Sequence, residues 1–148
     1  MILLLLLLLA AMYFDIRFFR IPNKLILVGI GTGMCYRFLF PEELFFYQYL
    51  VAMTGIFLIL VPIYKLGAIG GGDVKLLSVC ALFMGVYDGL EMMVLSFLFG
   101  AFFSIIFLVY HRFFSKQIQT KRHVIHFSIP IFFGILTEWL WGGFLWQI

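Results

Sequence analysis

Two aspartates stand apart from the other ionisable residues of this 148-residue chain. One opens the stretch Asp15-Ile16-Arg17-Phe18-Phe19-Arg20-Ile21-Pro22-Asn23-Lys24, and the other follows a glycine run in Gly70-Gly71-Gly72-Asp73-Val74-Lys75. Each lies at the edge of an apolar segment, where an ionisable side chain is costly enough to be read as functional first. Two carboxylates that meet within a few ångströms cannot both ionise easily and share one proton. The charged one can then take a proton from water while the neutral one hydrogen-bonds a carbonyl, which is how an aspartic protease divides the work of cleaving a peptide bond. Spacing along the chain does not by itself bring the pair together. The alternatives, that they are counter-ions for Arg17 and Lys75 or that Asp73 only caps a helix, stay open at this level.

The elements that must position these residues are membrane helices. The chain is 65% hydrophobic, 20% aromatic and 11% charged, with a mean hydropathy of +1.15, against roughly 45–50% apolar and about 25% charged residues in soluble domains. A bilayer core about 30 Å thick needs roughly 20 apolar residues per helix. Apolar runs between polar breaks give six spans: 1 to about 14, 25–40, 45–64, about 74–86, 92–110 and 124 to about 145. The expected fold is therefore all-α and polytopic, one transmembrane domain over residues 1–148 with no room for a soluble one. The first span is short and is expected to run past Asp15 toward Phe19, with Pro22 ending it because proline lacks an N–H and biases Ile21 away from helix. Reading that span as a signal peptide would need a basic stretch before it and a small-residue cleavage site after it. Three glycines before Asp73 permit left-handed or closely packed backbone, which at membrane depth survives only where protein or water covers it. Asp73 is then expected to be the N-cap of the fourth span, beside a wet cavity and near the positive helix end.

Charge placement sets the orientation. Of the ten Lys and Arg residues, only Arg37 falls in the loops after spans two and four. Arg17, Arg20, Lys24, Lys65, Lys75, Arg112, Lys116, Lys121 and Arg122 fall after spans one, three and five. By the positive-inside rule the latter set is cytoplasmic and both termini are outside. Glu42, Glu43, Asp88, Glu91 and Glu138 sort to the outer side, leaving Asp15 and Asp73 as the cytoplasmic acids.

Asp15-x-Arg17 followed by Ile21-Pro22-Asn23, and then Gly70-Gly71-Gly72-Asp73-Val74-Lys75-Leu76-Leu77, resemble the two signature blocks of the type IV prepilin peptidases, membrane aspartic proteases with a GxGD motif. The resemblance covers both blocks, their order and the six-helix arrangement. It implies that Asp15 and Asp73 are catalytic and that Arg17, Ile21, Pro22, Asn23, Gly70, Gly71, Gly72 and Lys75 shape the site or bind substrate. It further implies that the substrate is a prepilin or pseudopilin whose short basic leader is cut off after a glycine, just before its hydrophobic helix, at the cytoplasmic face of the inner membrane. Longer members carry an N-terminal cysteine-rich extension and N-methylate the new terminus with S-adenosylmethionine. This chain looks like the short form without that extension, so the methyltransferase activity is not carried over and no cofactor is implied. A proton- or ion-coupled transporter using the same carboxylates, and a catalytically silent pilus-assembly partner, are the alternatives; a transporter should show inverted repeats, and none is evident.

The remaining residues read as structural. Cys35 and Cys80 are expected to be buried small hydrophobes, far from disulfide or zinc spacing. His111, His123 and His126 flank the most basic loop without acidic or cysteine partners nearby, so no metal site is expected. Arg112, Lys116, Lys121 and Arg122 suit anionic lipid headgroups, Trp139, Trp141 and Trp146 an outer interfacial belt, and nothing points to nucleic acid. Gly29, Gly31 and Gly33 predict close helix packing, and Pro62 a kink before the glycine block.

Overall fold

The computed structural model describes residues 2–40, 46–114 and 127–141. These form six helices: α1 (Ile2–Phe18), α2 (Asn23–Leu39), α3 (Phe46–Lys65), α4 (Gly71–Met84), α5 (Val86–Phe114) and α6 (Ser128–Trp141), with no strand among the described residues. Two stretches, Phe46–Lys65 and Val86–Tyr110, at 20 and 25 residues, are long and apolar enough to cross a membrane, and Ser128–Leu140 is a shorter apolar helix. Lys116, Lys121, Arg122, His123, His126, Glu42, Glu43 and Trp146 lie outside the described residues, as do the side chains of His111 and Trp141.

Helix α4 is the centre of the bundle. Val74 and every residue from Leu76 to Met84 are buried, and α1, α2, α3 and α5 all pack against it. A helix that is apolar all round buries all its faces, which is why α4 has no polar side. The approach of α2 depends on two of its glycines: a Cβ at Gly29 would come within 2.9 Å of Leu7 and Val79, and one at Gly33 within 2.9 Å of Leu82 and Phe83. Gly31 faces open space, so the small-residue seam is Gly29 and Gly33 alone. Helix α6 packs on α5 and α1, and a Cβ at Gly134 would meet Ser96 Oγ at 2.5 Å. Pro62 lies inside α3, which continues to Lys65.

Several boundaries differ from the sequence expectation. The fourth helix starts at Gly71 rather than near Val74, and the fifth at Val86 rather than Met92. No loop separates α4 from α5, because Gly85 reverses the chain in one residue: its φ of 98° is open to glycine and its N–H bonds the Ala81 carbonyl. Asp88 and Glu91 therefore lie in the first turns of α5 instead of an outer loop, and Glu91 and Glu138 are buried. Arg37 is also buried, at the last turn of α2, where its guanidinium donates to the Phe83 carbonyl at the C-terminal end of α4 and lies 4.1 Å from the Tyr49 ring centre. A cation at that end complements the helix dipole. Cys80 is buried as expected, but Cys35 is exposed on the apolar surface.

Candidate active site

The sequence separates the two acidic blocks by more than fifty residues, and the bundle brings them to one end. Helix α1 runs through Asp15 to Phe18, so the aspartate sits in the last turn with its side chain buried. Phe19 then adopts a left-handed conformation, φ 52°, which ends the helix as its N–H bonds the Asp15 carbonyl. Left-handed backbone strains a residue with a bulky side chain, and such strain clusters at functional sites. Ile21 is buried beyond this bend, and Pro22, extended at φ −68° and ψ 136°, is the N-cap of α2.

Asp73 is not the N-cap of α4. That position belongs to Gly70, in extended conformation, and Asp73 is the third residue of the helix. From there its carboxylate accepts a hydrogen bond from the Gly70 N–H, the backward reach of a carboxylate at the third helical position. The glycine run is used for close approach and not for left-handed backbone: a Cβ at Gly70 would sit 2.8 Å from Asp73 Oδ2, one at Gly71 3.3 Å from the Tyr64 ring, and one at Gly72 3.2 Å from Ile21 Cβ. Among the described residues the positive-φ glycines are Gly67 and Gly85.

Asp15 and Asp73 line one cavity of about 1150 Å³ and are near enough for the charge of Asp15 to act on Asp73. Ile21, Asn23, Gly70, Gly71, Gly72 and Lys75 line it too. The two blocks are tied directly, since Lys75 Nζ donates to Asn23 Oδ1 at 2.9 Å. Arg17 and Pro22 are not part of this wall. Arg17 is exposed, donating to the Tyr13 hydroxyl at 3.1 Å and lying over the Phe18 ring, while Pro22 acts through the start of α2. Sequence reasoning missed further contributors. Ser128, the first residue of α6, donates its hydroxyl to Asp15 Oδ2 at 2.6 Å with both groups buried. Arg20 lines the cavity from the bend after α1, and Phe97, Gly100, Ala101 and Ser104 of α5 line it from the far side. The signal for Ser128 was Pro130: proline favours the first turn of a helix, which marks a start near Ser128 instead of Val124. Among the described residues no group of three or more His, Cys, Asp or Glu is arranged to hold a metal ion.

What the arrangement can do follows from its groups. Two carboxylates from distant segments line one space large enough for a peptide, and one is anchored by a hydroxyl and the other by a backbone N–H. Residues 2–105, holding both aspartates, match the type IV leader peptidase family. The chain belongs to that family. Among known proteins it is similar to the prepilin leader peptidase/N-methyltransferase of Bacillus subtilis (strain 168), at 27% identity over 129 residues. That match takes in 86% of this chain and 50% of the relative, so the chain spans about half the length of the relative it matches. No solved structure matches significantly. Ser128 lies beyond the segment matched to the leader peptidase family, which ends at residue 105.

Proposed function

We propose that the chain is a polytopic membrane aspartic endopeptidase that removes the short basic leader of type IV prepilins or pseudopilins at the cytoplasmic face of the inner membrane. The observation that carries this reading is the shared cavity of Asp15 and Asp73 in a chain of the leader peptidase family. Asp15 and Asp73 hold one proton between them. The charged carboxylate takes a proton from a water molecule as that water attacks the scissile carbonyl, and the neutral one donates a hydrogen bond to the carbonyl oxygen. The proton gained is then delivered to the leaving amine, restoring the pair. The Asn23–Lys75 hydrogen bond and the Ile21–Gly72 packing keep the two halves of the site in register.

Membrane placement is supported by a bundle whose surface is apolar, with Leu27, Leu58, Leu98, Ile105 and Leu108 all more than 60% exposed. Water-soluble monomers rarely expose so much contiguous apolar surface. Orientation follows from the basic residues. Reporter fusions near Lys65 and Lys116 are expected to read cytoplasmic, and fusions near Glu42 and Asp88 external. An inverted pattern puts both aspartates on the wrong face for a cytoplasmic leader and sinks the reading. The activity itself is tested by incubating the chain with a prepilin in liposomes and mapping the new N-terminus by mass spectrometry.

Ser128 should act as a positioning residue in this reaction. A hydrogen bond to a charged group contributes about 1.5–3 kcal/mol, so Ser128→Ala is expected to lower kcat about 10- to 100-fold if that orientation is needed in the transition state. KM should change little, and Ser128→Thr, which keeps the hydroxyl, should recover most of the rate. Equal losses in Ala and Thr variants would mean that Ser128 serves packing.

A further inference from the structure

A second hollow lies on the flank of the bundle, between α2 and α3. Among the described residues both helices pack on α4 but scarcely on each other, so a trough of about 410 Å³ opens between them with α4 as its floor. Its walls are Ile26, Leu27 and Ile30 of α2 with Met53 and Phe57 of α3, and Val79 lies in the floor. Two hydroxyls line it as well, and both donate back into their own helices: Thr54 Oγ1 to the Leu50 carbonyl at 2.8 Å, and Ser78 Oγ to the Val74 carbonyl at 2.8 Å. Along its length the trough therefore offers an occupant little but carbon. The other polar groups gather at one end, where Asn23 and Lys75 line both this trough and the aspartate cavity. Lys75 is exposed, and its ammonium gives one of its three donors to Asn23. Lys24, also exposed, follows Asn23 at the start of α2.

An apolar trough with a cation at one end matches the chemistry of a phospholipid, hydrocarbon ended by a phosphate. Depth agrees with this. From Asn23 to Ile30 helix α2 rises about 10 Å, at about 1.5 Å per residue, which is less than half of a hydrocarbon core about 30 Å thick. With Lys75 at headgroup level, the trough stays within one leaflet. Volume agrees too: a helix about 10–12 Å across fills roughly 800–1,200 Å³ over that length, about two to three times what the trough holds. A substrate helix, or one from a second copy of this chain, would lie over the trough without filling it, whereas a single acyl chain enters whole. Lipid tails and leucine side chains are equally apolar, so the gain is not one of hydrophobic transfer. It comes from the dispersion contacts that an unfilled trough forfeits, and from the attraction between lysine and phosphate.

We propose that the trough between α2 and α3 is a lipid site, holding one acyl chain of an anionic glycerophospholipid with its phosphate at Lys75 and Lys24. The headgroup then lies beside the Asn23–Lys75 hydrogen bond that joins the two halves of the active site. The proposal rests on the membrane placement of the chain and not on its peptidase activity. The experiment places the full chain in phosphatidylethanolamine liposomes with a trace of phosphatidylglycerol carrying a diazirine on one acyl chain, and maps the cross-linked residues by peptide mass spectrometry. Label is expected to concentrate on Leu27, Ile30, Met53 and Phe57, above its level at Ile105 and Leu108, which are exposed on α5 outside the trough. Thr54→Trp, and Leu27→Trp from the opposite wall, fill the trough and should bring its label down to the level at Ile105. Leu58→Trp, on an exposed part of α3 outside the trough, should leave it unchanged. Lys75→Gln should lower trough label about fivefold, the weight of one lysine near anionic lipid, with a smaller effect on a diazirine-bearing phosphatidylethanolamine. Label spread evenly over the exposed apolar residues overturns the proposal, because it marks ordinary bilayer lipid. Loss of the trough label on adding prepilin, or on raising the protein-to-lipid ratio, assigns the trough to the substrate's helix or to a second copy and overturns it as well. A chain labelled nowhere overturns the membrane reading and this proposal together, whereas label at Ile105 without label in the trough overturns this proposal alone.

Discussion

Asp73→Asn is expected to abolish prepilin cleavage while leaving the protein folded. The substitution keeps the shape of the side chain, and the amide oxygen can still accept the hydrogen bond from the Gly70 N–H, so the start of α4 has what it needs. Neither requirement of the fold is touched. The amide cannot take a proton from water, however, and proton transfer by a positioned side chain is worth about 10²–10⁴-fold in rate. Asp15→Asn should do the same, with its oxygen still able to accept from Ser128. Residues acting as one unit are strongly non-additive, so the double variant should be little worse than either single one. The measurement is processing at matched protein levels, with detergent thermal stability as the control for folding. Substantial cleavage by Asp73→Asn would make the carboxylate a structural group of the helix start, and the peptidase assignment would fail with it.

The parts of this site that sequence reveals are those where chemistry conflicts with surroundings. Asp15 and Asp73 are visible because a carboxylate at the edge of an apolar segment is costly enough to be read as functional first, and the end of α1 is visible because Pro22 excludes helix. Helix starts built by tertiary contact are not. Gly70 to Gly72 read as irregular backbone, left-handed or closely packed, because glycine opens those conformations, yet α4 begins at Gly71 because the absence of side chains lets it lie against Ile21 and Tyr64. Asp73 consequently moved from cap to first turn. Glu91 and Glu138 sort to the outer side by their place between spans, which says nothing of whether helix packing buries them, as it does here. Ser128 and Arg20 needed three-dimensional neighbours to acquire meaning: one hydroxyl 113 positions from its acceptor, and one arginine that charge counting placed among many on the same face.

That geometry makes Gly72→Val the second large effect. Left-handed backbone is not the reason, because Gly72 is helical and its φ is not positive. The cause is contact. A Cβ here would lie 3.2 Å from Ile21 Cβ and 3.5 Å from its Cγ1, and Ile21 is buried, so it has little room to retreat. Alanine requires a shift of a few tenths of an ångström and gains helix propensity, about 1 kcal/mol over glycine, so Gly72→Ala should keep most activity and stability. Valine adds two further carbons against the same wall. Overpacking of this kind costs about 1–3 kcal/mol, and here the displaced residue belongs to the bend that carries Arg20 on one side and Asn23 on the other. Moving Ile21 loosens the Asn23–Lys75 tie and with it the register of Asp15 against Asp73. Cleavage by Gly72→Val should fall about 10- to 100-fold if that cost is borne in the transition state, and a substitution that shortens the opposing side chain, Ile21→Ala, should restore part of the rate when combined with it. Wild-type cleavage by Gly72→Val would mean that the two blocks hold their register without this contact.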